Sequence, residues 1–200
     1  MARSTSERPS ARARLLAAAD ELFYEEGVRT VGIDRVIERA GVAKGTLYNT
    51  FGSKDELVRS YLTGRHALWK ERIAQELAER YRTPRERLLA MFDSLGRWFA
   101  EPGFRGCAFI NASGEARPGS TVEQACDEFR AWVRSLFAEL TEAAGYADPE
   151  RLSAQLVLLY DGATVAARLD RNPRAADVAR DAAVALLDAS AGPGRHLPGH

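Results

Sequence analysis

Polar side chains crowd one short stretch of the chain, "GVAKGTLYNTFGSKDEL" at 41–57. The amide of Asn49 can form a bidentate contact with adenine, and threonine hydroxyls suit phosphate oxygens. Gly45 has no side chain and would let a backbone come close to a groove. These residue types together suit contact with double-stranded nucleic acid, provided that they share one exposed face.

The period of an α-helix predicts that they do share a face. With 100° between successive residues, Leu47 and Phe51 lie on one side and Tyr48 beside it. The outward side and its edges carry the small and polar residues: Gly45, Asn49, Thr46 and Thr50. We therefore expect leucine and phenylalanine to anchor a short helix that presents hydrogen-bonding groups to solvent.

The apolar spacing is helical almost throughout, which predicts an all-α fold of about nine helices. The helix at 44–51 follows another at about 33–40, with Gly41 in the turn between them, which is the arrangement of a helix-turn-helix. A first helix is expected at about 10–26. Capping boxes predict helix starts at Ser53, Thr83 and Ser120, and Asp148-Pro149 and Asn172-Pro173 are expected to begin the last two long helices.

A resemblance covers roughly the first quarter of the chain. Residues 15–57 resemble the DNA-binding region of the tetracycline-repressor (TetR) family of bacterial transcription regulators, through "AGV" at 40–42, "GTLYNTF" at 45–51 and "SKDEL" at 53–57. The family fold implied is an N-terminal helix-turn-helix followed by a helical bundle that binds ligand and dimerises. The segment "RGCAFINAS" at 105–113 resembles a stretch of one group of such regulators.

The resemblance assigns roles residue by residue. It implies that Tyr48 and Lys54 contact phosphates and that Thr46 and Thr50 support them. The residues that it brings near bases are Lys44, Gly45 and Asn49. The sequence departs from the family at Gly32 and Ala43, where members usually carry Ser or Thr; a DNA phosphate at the positive helix end could satisfy the backbone there.

Charge adds a weaker indication. The formal net charge is zero, but the first fourteen residues carry Arg3, Arg8, Arg12 and Arg14 against Glu7 alone. This basic arm could reach a minor groove, and a disordered arm without DNA contact is the alternative.

The last two helices are rich in alanine and leucine, which lets helices approach closely. Two such helices from each of two subunits would form a four-helix bundle, so we expect a homodimer; packing within one chain is the alternative. The expected interface residues are Leu152, Leu156, Leu159, Ala163, Val178, Ala182 and Leu186.

Aromatic residues are frequent between the fourth and seventh helices, which favours a pocket for a largely apolar small-molecule effector. The candidate ligand-binding residues are Trp69, Phe92, Trp98, Phe109, Asn111, Phe129, Trp132 and Tyr160. Ordinary core packing explains each aromatic residue as well.

Other classes of function lack sequence support. The chain carries no hydrolase, metalloprotease, phosphate-loop or dinucleotide motif, so we expect no enzyme activity, no cofactor and no metal. Cys107 and Cys126 do not form a metal-binding spacing and are expected to be reduced, partly buried thiols, with a redox-sensing pair as the alternative. Because no signal peptide or membrane span is evident, we expect a cytoplasmic protein without membrane contact.

The sequence thus predicts a basic arm at 1–9, a DNA-binding domain at 10–53, an effector-binding and dimerisation domain at 54–190, and a disordered tail at 191–200. The function predicted is a ligand-responsive regulator, most simply a repressor released from a palindromic operator by its effector. Two alternatives stay open. One is a helical small-molecule-binding protein or enzyme that keeps the N-terminal helices as structure. The other is an activator or architectural DNA binder without an effector.

Overall fold

The computed structural model describes residues 9–191, and these form nine α-helices without a strand. The all-α prediction is therefore confirmed for this part of the chain. The helices are α1 (Ala11–Glu26), α2 (Ile33–Ala40), α3 (Lys44–Phe51), α4 (Lys54–Arg80), α5 (Pro84–Phe99), α6 (Ala108–Ser113), α7 (Thr121–Ala143), α8 (Pro149–Leu169) and α9 (Ala175–Ser190).

Two of the helix starts show why the sequence signals worked. Thr83 accepts a hydrogen bond from the backbone N–H of Glu86, and the Glu86 carboxylate accepts one from the N–H of Thr83, so both partners of the capping box are satisfied. Asp148 caps α8 by accepting a hydrogen bond from Arg151, with Pro149 in the first position.

Two other starts follow the prediction only in part. Helix α7 begins after Ser120 as predicted, and the Ser120 hydroxyl accepts a hydrogen bond from the N–H of Glu123. The Glu123 carboxylate, however, accepts from the N–H of Gly119, while the N–H of Ser120 is donated to the carbonyl of Arg117. Helix α9 starts at Ala175 rather than after Asn172, whose side chain accepts from the N–H of Arg174 in a local turn.

The described residues form two compact units, which the chain connects three times. Unit 1 comprises the residues up to Arg65 together with Ala108–Cys126, and unit 2 comprises His66–Cys107 together with the residues from Asp127 onward. Helices α4 and α7 are therefore each divided between the units. These units are defined by packing and not by function. The predicted boundary between a DNA-binding domain ending at residue 53 and an effector-binding domain beginning at residue 54 therefore stays a prediction.

Unit 1 holds α1, α2 and α3 around a small apolar centre. Each of these three helices packs on the other two. The residues at the centre, all less than a tenth exposed, include Leu15, Leu22, Val36, Leu47 and Leu57. Phe23 of α1 meets Tyr61 of α4 edge to face at 5.7 Å between ring centroids, which joins the start of α4 to α1.

Unit 2 has the larger core. Helix α5 packs against both α8 and α9, and α8 packs against α9. Phe92 of α5 and Phe137 of α7 are completely buried, and their rings meet edge to face at 6.2 Å. Both cysteines are buried. Within the described part of the chain, no helix is long and apolar enough to cross a membrane.

Two predicted segments fall largely outside this description. Residues 1–8 of the predicted basic arm, with Arg3 and Arg8, lie outside the described residues, and so do residues 192–200 of the predicted tail.

Candidate nucleic-acid interface

The turn between α2 and α3 is fixed by a glycine and an arginine. Gly41 has a φ of 61° in the left-handed region, where a side chain would strain the backbone. Its N–H is donated to the carbonyls of Ile37 and Glu38, which ends α2. Arg14 donates from Nη1 to the carbonyl oxygens of Ala40 at 3.0 Å and Gly41 at 2.9 Å. A residue predicted to belong to a DNA-binding arm therefore stabilises the turn instead.

The inner side of α3 is anchored as the helical period predicts. Leu47 is completely buried and Phe51 is 9% exposed. The guanidinium of Arg12 lies over the Phe51 ring at 5.5 Å from its centroid, a cation–π contact between α1 and α3. Arg12 and Arg14 thus both belong to α1 and contact the helix-turn-helix.

The outer side of α3 is open to solvent. Gly45, Asn49 and Thr50 are exposed. Tyr48 is 45% exposed, which is unusual for a large aromatic side chain. Thr46 is half-buried. Thr50 donates its hydroxyl to the carbonyl of Thr46 at 2.6 Å, so its oxygen can still accept but its proton is already used. A Cβ added at Gly45 would meet no atom within 4 Å, so another surface could approach the backbone there.

Lys44 is the first residue of α3 and forms an ion pair with Asp34 of α2, with 2.9 Å between Nζ and Oδ1. The hydrogen bond that Lys44 donates to Asp34, together with the negative charge of Asp34, raises the pKa of Lys44. Both side chains are exposed, so the pair is weak and can exchange Asp34 for another acceptor.

The starts of α2 and α3 lack side-chain caps, as the substitutions at Gly32 and Ala43 predict. Neither residue forms a side-chain capping bond. The first N–H groups of a helix carry partial positive charge, which favours an anion at that end. Both helix starts can therefore accept a phosphate at their backbone.

Lys54 has a different environment from Lys44. It is half-buried at the start of α4, and its Nζ lies 6.0 Å from the centroid of the Phe23 ring. Burial lowers the pKa of Lys54, while the charges of Asp55 and Glu115 oppose that shift. Glu115 comes from the loop after α6 and also accepts a hydrogen bond from the backbone N–H of Arg29 at 2.7 Å. Sequence reasoning missed this neighbour, because nothing in the local pattern relates residue 115 to residue 54.

The predicted effector residues are divided between the two units. Phe109, which is buried, and Asn111, which is exposed, belong to unit 1. The other six belong to unit 2. There Trp69 and Trp98 lie 5.3 Å apart, and Phe129 and Trp132 lie 5.8 Å apart.

Two of those six residues are deeply buried in unit 2. Phe92 is part of the central core, and burial raises the pKa of the Tyr160 hydroxyl. Sequence reasoning did not include His66 among the candidate effector residues, although its ring contacts both Phe129 and Trp132. The effector assignment stays a prediction.

The predicted dimer residues differ in exposure, and the dimer assignment stays a prediction. Leu152, Leu156 and Ala163 are at most 5% exposed and lie in the core of unit 2, so they pack within their own chain. Leu159, Ala182 and Leu186 are half-buried, and only Val178 is exposed. The apolar residues that α8 turns to solvent are Leu158, Val165 and Leu169, at 69%, 41% and 74% exposure.

Comparison with known proteins covers both parts of the chain. Residues 15–61 match the family described as "Bacterial regulatory proteins, tetR family", and residues 84–183 match "Tetracyclin repressor-like, C-terminal domain". The crystal structure of SCO4454, a TetR-family transcriptional regulator from Streptomyces coelicolor, superposes with a TM-score of 0.84 at 32% identity, covering 90% of this chain and 95% of that one.

Two named regulators are similar over different extents. The HTH-type transcriptional repressor NemR of Escherichia coli is 25% identical over 170 residues, which are 80% of this chain and 85% of that protein. The HTH-type transcriptional activator FasR of Mycolicibacterium smegmatis is 44% identical over 55 residues, which are 28% of this chain and 25% of that protein.

Proposed function

Because the chain belongs to the TetR family of bacterial transcription regulators, we propose that it reads DNA with α3 and represses transcription from the operator that it binds. The observation that carries this proposal is the division of α3. Its leucine and phenylalanine are buried, while an unobstructed glycine, an asparagine and a half-exposed tyrosine lie on the other side. A helix held in this way can enter a major groove with its polar face towards the base edges.

Within this interface the contacts divide by chemistry. Asn49 would read a base through its amide, and Lys44 would do so after exchanging Asp34 for a base acceptor. Tyr48, Thr46 and Lys54 would donate to phosphates, and Thr50 would do so only after giving up its hydroxyl bond to the carbonyl of Thr46. The uncapped start of α3 would bind a phosphate through its N–H groups.

Repression is favoured over activation by how much of the chain each relative matches. NemR, which is named a repressor, is similar over most of both chains, whereas FasR, which is named an activator, is similar only over a quarter of each. The shorter match spans little more than a DNA-binding segment, and such a segment does not determine the effect on transcription.

Dimerisation would use the exposed apolar residues of α8. Leu158, Val165 and Leu169 recur at intervals of seven and four, which places them on one side of the helix. Gly162 lies among them, and a Cβ added there would meet no atom within 4 Å. A second α8 could therefore approach closely along this stripe, and Val178 of α9 adds a further exposed apolar side chain.

A dimer would place two α3 helices in successive major grooves of a palindromic site. An effector that binds a form with a different spacing between these helices would release the DNA. The aromatic residues of unit 2 support an apolar effector. Binding would be coupled in both directions, so the effector would weaken DNA binding by the factor by which DNA weakens effector binding.

The test is selection of duplexes from a random-sequence pool by the purified protein, followed by titration of the selected duplex. We expect an inverted-repeat consensus and a complex with two protomers per duplex. A reporter gene placed behind that site should be repressed. If no sequence is enriched over the starting pool, the proposal is wrong.

A further inference from the structure

A cleft of about 270 Å³ opens within unit 1, beside the turn that follows α1, the start of α4 and the loop between α6 and α7. Five charged residues line it, and they differ in how they are paired. The cations are Arg29, Lys54 and Arg117, and the carboxylates are Asp55 and Glu115.

Glu115 is held in place by the turn after α1. Its Oε2 accepts a hydrogen bond of 2.7 Å from the backbone N–H of Arg29. Its Oε1 lies 3.2 Å from where a Cβ at Gly27 would stand, and Gly27 has a φ of 91°, where a side chain is strained. Glycine at position 27 therefore serves two purposes: it adopts the backbone conformation of the turn, and it leaves room for the Glu115 carboxylate.

The loop that carries Glu115 is also attached to α4. Arg117 donates to Asp55 in the first turn of α4 at 2.7 Å, and this bond occupies the carboxylate next to Lys54 in the sequence. Among the described residues, no carboxylate oxygen lies within 4 Å of the Lys54 ammonium. Lys54 is thus partly desolvated and only distantly neutralised, by Asp55 and Glu115.

A lysine ammonium and a backbone N–H are two of the donor types with which proteins hold DNA phosphates. In unit 1 the N–H of Arg29 donates to Glu115, and the Lys54 ammonium lines the same cleft as this carboxylate. We propose that Glu115 is an internal anion that competes with a DNA phosphate for Lys54, and that it lowers DNA affinity in the free protein. This inference rests on the proposed function, in which Lys54 is a phosphate contact.

Through this competition, the position of the loop after α6 would affect the affinity of the protein for DNA. Whatever moves this loop away from Lys54 strengthens the phosphate contact, and whatever holds it there weakens the contact. The effect is independent of base sequence, because phosphates carry no sequence information.

The test measures binding of the full chain to a duplex selected by the wild-type protein and to a scrambled duplex, over a range of salt concentrations. Glu115→Gln removes the charge but keeps an amide oxygen that can accept from Arg29. Glu139→Gln is the matched control, because Glu139 is an exposed residue of α7 and the change in net charge is the same. Lys54→Gln and the double variant with Glu115→Gln complete a double-mutant cycle.

We expect Glu115→Gln to bind both duplexes about threefold more tightly, the size of a surface charge interaction. The slope of log affinity against log salt should steepen by up to about 0.9, one phosphate contact. Glu139→Gln should change neither quantity, and Glu115→Gln should have no effect in the Lys54→Gln background. Thermal unfolding verifies that each variant is folded; should the glutamine variant not fold, Glu115→Asp withdraws the charge by one methylene and should give a smaller gain.

The inference is overturned if Glu115→Gln behaves like Glu139→Gln, binds more weakly than wild type, or keeps its gain without Lys54. Failure of the proposed function looks different, because wild type would then show no preference for the selected duplex over the scrambled one.

Discussion

Helices α3 and α8 both divide their residues between a buried and an exposed side, but only in α3 do the two sides differ in chemistry. The buried side of α3 carries leucine and phenylalanine, and its exposed side carries asparagine, threonine and glycine. In α8 both sides carry leucine: Leu156 is completely buried and Leu158 is 69% exposed. When one face of a helix is polar and the other apolar, the sequence predicts which face is buried. When both faces are apolar, the sequence does not predict which one meets the core.

The sharpest test of this comparison uses the two leucines of α8. Leu156→Ala should lower the free energy of unfolding by about 2–5 kcal/mol, because it leaves a cavity in the core of unit 2. Leu158→Ala should lower it by less than about 1 kcal/mol at protein concentrations where the chain is monomeric. Urea unfolding at several protein concentrations measures both, and equal losses would show that the two faces are not distinct.

A charge on the exposed face of α8 should act on assembly and spare the fold. Leu158→Glu would place a carboxylate in the proposed interface, which costs about 2–4 kcal/mol, or roughly thirtyfold to a thousandfold in dimer affinity. Sedimentation equilibrium measures this change. The control is Leu68→Glu, because Leu68 is a similarly exposed leucine of α4. If both variants dimerise as wild type does, the interface lies elsewhere.

On α3 the expected effects are smaller and concern DNA. Asn49→Ala should cost about 1–3 kcal/mol at one or two base positions and leave the preference elsewhere unchanged. The measurement is a binding-site logo from selected duplexes. An unaltered logo would remove Asn49 from the set of base-reading residues.

Tyr48→Phe tests the mildest of these contacts. Loss of one hydroxyl at a phosphate should weaken binding to every duplex by roughly 0.5–1.5 kcal/mol while the ring keeps its packing. Because the effect is independent of sequence, selected and scrambled duplexes should weaken alike in the same titration. A selective loss on one duplex would instead mean that Tyr48 reads a base.

The helices themselves were largely predictable from the sequence. The bounds of α2 and α3 follow from apolar spacing and from Gly41, and the start of α5 follows from Thr83, Pro84 and Glu86. The start of α9 was misplaced because an asparagine before a proline suits a local turn as well as a helix cap, and here the Asn172 side chain closes the turn.

Arginines and distant pairs were harder to predict. A run of basic residues at a terminus indicates a DNA-binding arm, yet Arg12 and Arg14 already belong to α1 and contact the Phe51 ring and the α2–α3 turn. Sequence reasoning could not relate Glu115 to Lys54, because only tertiary packing places the two residues at the same cleft. The apolar spacing of α8 identified a helix with two apolar faces without indicating which face meets the core.

Because Ala108–Cys126 packs with the N-terminal helices, the compact unit that contains α3 is not a contiguous piece of sequence. A chimera that receives only residues 1–53 from another regulator would combine the N-terminal helices of that regulator with α6 and the following loop of this chain. Exchange of specificity between relatives should therefore succeed more often when both segments are transplanted together.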